Sequence, residues 1–273
     1  MMYRKRYDEV WYDEEWEVSG GVTFGTSDKG LRGTSEDDIL VAGLETRNIR
    51  GFKGDDELWG NYRKNLINGG DDDDFLEGGG GNDNMNGGRG LDTLLSISWG
   101  GEPEIAQAVA EGVTKVEPDE PLEDNDVLTG GADADTFIFR WLLDAKEEIL
   151  DKHRDETGDV DYRAVAGENG APHNHWVEKI GDDVVRDYDP EEDTLIFEGH
   201  TVALASATLI DADNDGQEDD TLLVFYSEQG GAGAHQGDAL GTVTFLDVEL
   251  TEADITINTN VFYGIEDPFS ATG

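Results

Sequence analysis

The sequence has no cysteine, 6 prolines and 5 histidines, and its 19 lysines and arginines face 64 aspartates and glutamates. Without cysteine there are no disulfides and no thiol nucleophile, so outside a cell stability must come from another source, for which a metal is the usual substitute. So few cations leave no basic face for nucleic acid and disfavour an anionic membrane surface. No apolar run approaches the ~20 residues of a membrane helix, so no membrane span is expected. The opening MMYRKRYDEVWYDEEW has a basic cluster but no apolar core behind it, which predicts no N-terminal signal peptide. No H-E-x-x-H or G-x-S-x-G occurs, so neither a zinc protease nor a serine-hydrolase elbow is indicated. Among 64 acids any catalytic carboxylate pair can be imagined, and abundance alone assigns none.

The formal charge of -45 on 273 residues is self-repulsive and should oppose any compact state unless counter-ions bind. Charge of that size with 36% hydrophobic residues leans toward disorder, yet ten Phe, eight Tyr and six Trp are too many for a disordered polymer. Both facts fit a chain that folds when something cationic arrives.

A gapless period of nine supplies the mechanism. From Gly33 the chain reads GTSEDDILV, AGLETRNIR, GFKGDDELW, GNYRKNLIN, GGDDDDFLE, GGGGNDNMN and GGRGLDTLL, with FGTSDKGLR before it as a degenerate unit in phase. The eighth position is apolar in each of the seven units: Leu40, Ile49, Leu58, Ile67, Leu76, Met85 and Leu94. A short strand carries that side chain inward, and the glycine-rich six turn through conformations a β-carbon obstructs. Two units make one coil, so every second unit stacks on the same edge. The sixth positions then sort into Asp38, Asp56, Asp74 and Asp92 on one edge and Arg47, Asn65 and Asp83 on the other. Stacked aspartates with loop carbonyls make an all-oxygen cage suited to Ca²⁺ and less so to Mg²⁺. On the second edge Arg47, Arg63 and Lys64 are expected to pair with nearby acids in place of a metal, and Asn65 is expected to matter little. If the chain resumes in phase after the interruption at 97–122, Asp126 stacks on Asp83 and Asp135 on Asp92.

These units resemble the RTX, or haemolysin-type calcium-binding repeat, family. NDVLTGGADADTFIF (125–139) is similar to that family's closing units, and IGDDVVRDYDPEEDTLIFEG (180–199) to the segment following the roll in serralysin-type C-terminal domains, without their protease half. The resemblance implies a mostly β fold: a calcium-binding parallel β-roll, a β-rich C-terminal cap and short helical insertions. It implies several Ca²⁺ ions held by a set comprising Asp38, Gly51, Lys53, Gly54, Asp56, Gly69, Asp71, Asp72, Asp74, Gly78, Gly80, Asp83, Gly87, Arg89, Asp92, Asp126 and Asp135. It also implies an extracellular protein exported unfolded by a type I secretion apparatus, its address at the C-terminus near GIEDPFSATG.

Segments are expected as an N-terminal arm (1–23), the roll with its insertion (24–139), a helical and loop insertion (140–180) and the cap (181–273). Trp11, Tyr12 and Trp16 read as a cap on the open end of the roll, or as a stacking platform for sugars. DADNDG supplies Asp211, Asp213 and Asp215 at EF-hand spacing, but Leu222 stands where the bidentate Glu belongs, so Asp219 and Asp220 would have to close the cage. The alternative is an acidic hairpin turn. LLDAKEEILDKHR (142–154) has helical spacing and predicts a packing helix. His173 and His175 lack the third ligand a zinc site needs. The expected function is calcium-coupled folding in a secreted, non-catalytic module with a surface, matrix, polysaccharide or assembly partner. The rival is a polysaccharide-active or other hydrolytic enzyme carrying such a module.

Overall fold

The computed structural model describes residues 22–25, 30–43, 45–61, 63–97, 124–156, 160–167, 175–228 and 239–264. The N-terminal aromatics, the interruption after Ile97, His173 and the extreme C-terminus lie outside them.

Two large sheets hold most strands of the described residues, numbered in chain order. One runs β1 (Val22–Phe24), β3 (Ile39–Val41), β5 (Glu57–Trp59), β7 (Phe75–Glu77), β9 (Thr93–Ile97), β11 (Thr136–Trp141), β15 (Thr194–Gly199), β19 (Ile257–Asn258). The other runs β2 (Leu31–Arg32), β4 (Asn48–Lys53), β6 (Leu66–Asp71), β8 (Asn84–Arg89), β10 (Val127–Ala132), β14 (Asp182–Val185), β18 (Ala239–Phe245), β17 (Asp220–Ser227), β16 (Val202–Ile210). The chain thus alternates between sheets, and within the repeats each strand pairs in parallel with the strand two units on, as Leu58 with Leu76 and Ile67 with Met85. This is a β-roll. Its period follows from the side chains: all seven eighth-position residues are fully buried between the sheets.

The parallel ladder runs on past residue 139. β14 pairs with β10 and β15 with β11, so the segment after the insertion adds further coils; β16, β17 and β18 are antiparallel to one another, while β18 stays parallel to β14. There the core changes from aliphatic to aromatic. Phe139 stacks on Phe197 at 5.3 Å, and Trp141 and Phe197 meet Phe225 at 4.8 and 5.0 Å. Large rings fill the space where the coil gives way to the hairpin.

The expected helix over 142–154 is largely absent. Leu143–Ala145 forms β12, paired antiparallel with β13 (His175–Val177), and only Glu147–Leu150 (α1) and a 3₁₀ turn (Asp151–His153) are helical. Leu142, Leu143, Ile149 and Leu150 are all buried, so the apolar residues were identified correctly and their period was not. A partner strand outweighed a local preference worth tenths of a kcal/mol per residue. A second short helix, α2 (Tyr162–Ala166), is capped by Asp161, whose side chain accepts from the Ala164 N–H.

Candidate calcium ladders

Each turn ends at its sixth residue, and hydrogen bonds link these residues along each edge. On the first edge the Asp38 N–H donates to Asp56 Oδ1 (2.7 Å), Asp56 to Asp74, Asp74 to Asp92 and Asp92 to Asp135 (each 2.9 Å), and Asp135 to Asp193 (2.8 Å). On the second, Asn65 donates to Asp83 (2.6 Å), Asp83 to Asp126 (2.9 Å) and Asp126 to Asp183 (2.8 Å). The interruption therefore leaves the register intact, with Asp126 on Asp83 and Asp135 on Asp92.

One oxygen of each accepting carboxylate is thus engaged, and in five of them the other is bare. Oδ2 of Asp56, Asp74, Asp83, Asp92 and Asp126 is buried with no hydrogen-bond partner among the described residues. Burying such an atom unpaired costs kilocalories. Burial pushes Asp56 and Asp92 up to about 6, Asp126 and Asp135 up to about 7 and Asp74 up to about 8. Asp83 and Asp183 also rise well above the usual carboxylate range, through burial first and the neighbouring Asp126 second. A file of buried, electron-rich oxygens is the condition a bound cation relieves.

The glycines show why the pattern is strict. A β-carbon at Gly51, Gly69, Gly78, Gly87 or Gly130 would overlap the Oδ2 of its own loop's aspartate, and at Gly69 would also meet the Gly87 carbonyl oxygen at 2.7 Å. Carboxylate and carbonyl oxygens converge at these points. The donor set is hard and all-oxygen, which fits Ca²⁺ with its six to eight oxygen ligands. Asp56, Asp74, Asp92 and Asp135 would hold it on the first edge, and Asp83 and Asp126 on the second. Bound there, the ion would neutralise the carboxylates and join successive coils.

Several expected ligands behave otherwise. Lys53 Nζ lies 2.8 Å and Arg89 NH1 3.0 Å from the two oxygens of Asp71, an exposed row along the edge. The Lys53 hydrogen bond is the main reason the Asp71 carboxyl titrates below its usual range. These three side chains are engaged with one another at the surface. Asp72 Oδ2 is exposed and accepts from the Gly54 N–H at 3.1 Å. Asp38 Oδ2 accepts from the Thr34 N–H and hydroxyl at 2.6 and 2.9 Å. At the start of the second edge, Arg63 pairs with Glu45 at 3.4 Å on the outside. Buried amides of Asn61 and Asn65, and not the cations, fill the interior there. The Asn65 side chain, expected to matter little, is buried and hydrogen-bonded to the Asn61 N–H and the Thr46 carbonyl.

Asp183 and Asp193 were missed because their units lack the glycine run. Gly181, with φ 78°, and Val185 nevertheless keep the fourth and eighth positions of the period around Asp183. Glu77 was also missed. It is 3% exposed, its Oε2 has no partner among the described residues, and burial pushes it up to about 8 against the opposing pull of Arg140. Arg140 itself forms a buried pair with Glu198 at 2.6 Å and lies over the Tyr263 ring.

Asp211, Asp213 and Asp215 do sit in a hairpin loop, between β16 and β17. Carboxylate oxygens approach within 4.8 Å in three overlapping groups: Asp211, Asp213 and Asp220; Asp213, Asp215 and Asp247; Asp219, Asp220 and Asp247. Burial works upward on Asp220, but the N–H groups of Asp247, Ala212 and Asp213 bring its carboxyl below the usual range. Asp247 comes from beyond β18, and no sequence signal marked it. Among the described residues no group of three metal-ligating side chains includes a histidine.

An acidic parallel β-roll with stacked carboxylates along both edges is what this geometry defines. The profile of the RTX calcium-binding nonapeptide repeat matches residues 59–94 and 122–139, in four copies, and the chain is a carrier of such repeats. No curated protein matches the chain. The solution structure of a subunit of the mannuronan C5-epimerase of Azotobacter vinelandii is similar at 20% identity, covering 90% of this chain and 88% of that one with a TM-score of 0.26.

Proposed function

We propose that the chain is a secreted module whose folding is coupled to the binding of several Ca²⁺ ions, exported unfolded by a type I apparatus and acting without catalysis in surface or matrix contact. The observation that carries the calcium reading is the file of buried, unpartnered Oδ2 atoms at Asp56, Asp74, Asp83, Asp92 and Asp126. Where free Ca²⁺ is scarce these carboxylates repel and the roll opens; where it is plentiful they are neutralised and the coils lock. The raised pKa values concentrate in the ladders, where they have a structural cause, and this favours a binding module over an active site.

Isothermal titration of Ca²⁺ into the calcium-free chain tests the reading. It predicts saturable binding of several ions, with Mg²⁺ at equal concentration giving little heat. No binding at millimolar Ca²⁺ contradicts it.

A further inference from the structure

Two contrasting kinds of loop recur in the ladders, and loop 178–183, with positive φ at Gly181 alone, belongs to neither. In 51–56, 69–74, 78–83, 87–92 and 130–135 the second and fourth residues both have positive φ: 87° and 93° at Phe52 and Gly54, 140° and 83° at Gly70 and Asp72, 119° and 80° at Gly131 and Asp133, and likewise at Gly79 and Gly81 and at Gly88 and Gly90. Phe52, Asp72 and Asp133 hold this conformation at a steric cost, which the native structure must outweigh. In four of these open loops the sixth aspartate's Oδ2 is the bare, buried atom described above.

Loops 33–38, 60–65 and 188–193 have positive φ at neither position. In each, the second residue's N–H turns onto the loop's own sixth side chain: Thr34 onto Asp38 Oδ2 (2.6 Å), Asn61 onto Asn65 Oδ1 (2.8 Å) and Asp189 onto Asp193 Oδ2 (2.8 Å). Loop 60–65 goes furthest. Asn61 Nδ2 donates to the Gly43 and Thr46 carbonyls at 2.7 and 2.9 Å, and Asn65 Nδ2 donates to the Thr46 carbonyl at 2.9 Å. Amide hydrogens satisfy carbonyls that a cation would otherwise recruit, and the sixth side chain carries no charge. The closed loops also stand at particular places. On the first edge 33–38 precedes and 188–193 follows a run of four open loops, and on the second 60–65 precedes the open loop 78–83.

We propose that loops 33–38, 60–65 and 188–193 are ion-free end-stops of the calcium ladders, closed by their own side chains so that they hold no ion themselves. This rests on the calcium reading above. Terminal repeats of a solenoid need a surface that does not invite further stacking. A loop that has already satisfied its own donors and acceptors provides one, and keeps its geometry when calcium is absent.

Native mass spectrometry at saturating Ca²⁺ tests it by counting ions. The triple substitution Asn61→Gly, Arg63→Gly, Asn65→Asp restores the G-G-x-G-x-D pattern in loop 60–65 and is expected to add at least one ion per chain. Asn61→Ala alone is expected to leave the wild-type count unchanged while raising the Ca²⁺ concentration needed for half-maximal folding. Loss of an ion from Asn61→Ala, or a folded triple variant with the wild-type count, overturns the proposal while the calcium reading stands. No ion on the wild-type chain overturns both.

Discussion

The ion-free roll should respond to pH in the opposite sense to most acidic proteins. Asp74 shows why. It is 3% exposed, and burial pushes its carboxyl from an ordinary 3.8 up to about 8. At 1.36 kcal/mol per unit, ionising Asp74 in the ion-free fold costs on the order of 5 kcal/mol. Whole domains are stable by only about 5–15 kcal/mol. Because the folded value lies above the unfolded one, this contribution is fully present below about pH 4 and is lost as pH rises through about 8. Asp56, Asp92, Asp126 and Asp135 shift in the same direction. Calcium-free protein is therefore expected to be unfolded at pH 8 and to regain β signal by circular dichroism as pH falls toward 5.5. Asp74→Asn, which cannot ionise, should stabilise the calcium-free chain at pH 8 and destabilise the calcium-saturated one. A calcium-free spectrum unchanged between pH 5.5 and 8, or a substitution acting in the same direction in both states, would refute the reasoning.

Gly69→Ala places a β-carbon on Asp74 Oδ2 and against the Gly87 carbonyl, and should lower Ca²⁺ affinity at least tenfold by titration calorimetry. Arg140→Ala leaves Glu198 buried without its partner, which typically costs about 3–5 kcal/mol, and should lower the melting temperature of the calcium-loaded protein by roughly 10 °C without changing the number of ions bound. For export, deleting the last 60 or so residues (about the length of the C-terminal cap beyond its hairpin loop) should block release into the medium, whereas deleting the first 20 or so should not. Normal secretion of the C-terminal deletion would place the address elsewhere.

The roll was legible because its physics is local and repeated. An apolar residue every nine positions fixes the core, and Leu40 through Leu94 are buried as the period requires. The in-phase return at Asp126 and Asp135 was readable for the same reason. What escaped depends on partners distant in sequence. Asp183 joins the second ladder through the Asp126 N–H, and Ser96 donates to its other oxygen from 87 residues away. Asp247 reaches the hairpin loop only because β18 lies beside β17. The closure of loop 60–65 escaped for another reason. A formal-charge argument looks to Arg63 and Lys64, while the space is filled by neutral amides whose orientation depends on backbone dihedrals.

The central claim is that calcium converts an extended chain into the folded roll, and small-angle X-ray scattering at pH 7.5 measures it directly. For 273 residues the radius of gyration should be about 60 Å when calcium is chelated and about 20 Å once it is restored, reversibly. A compact radius in excess chelator, equal to that in Ca²⁺, would contradict the account.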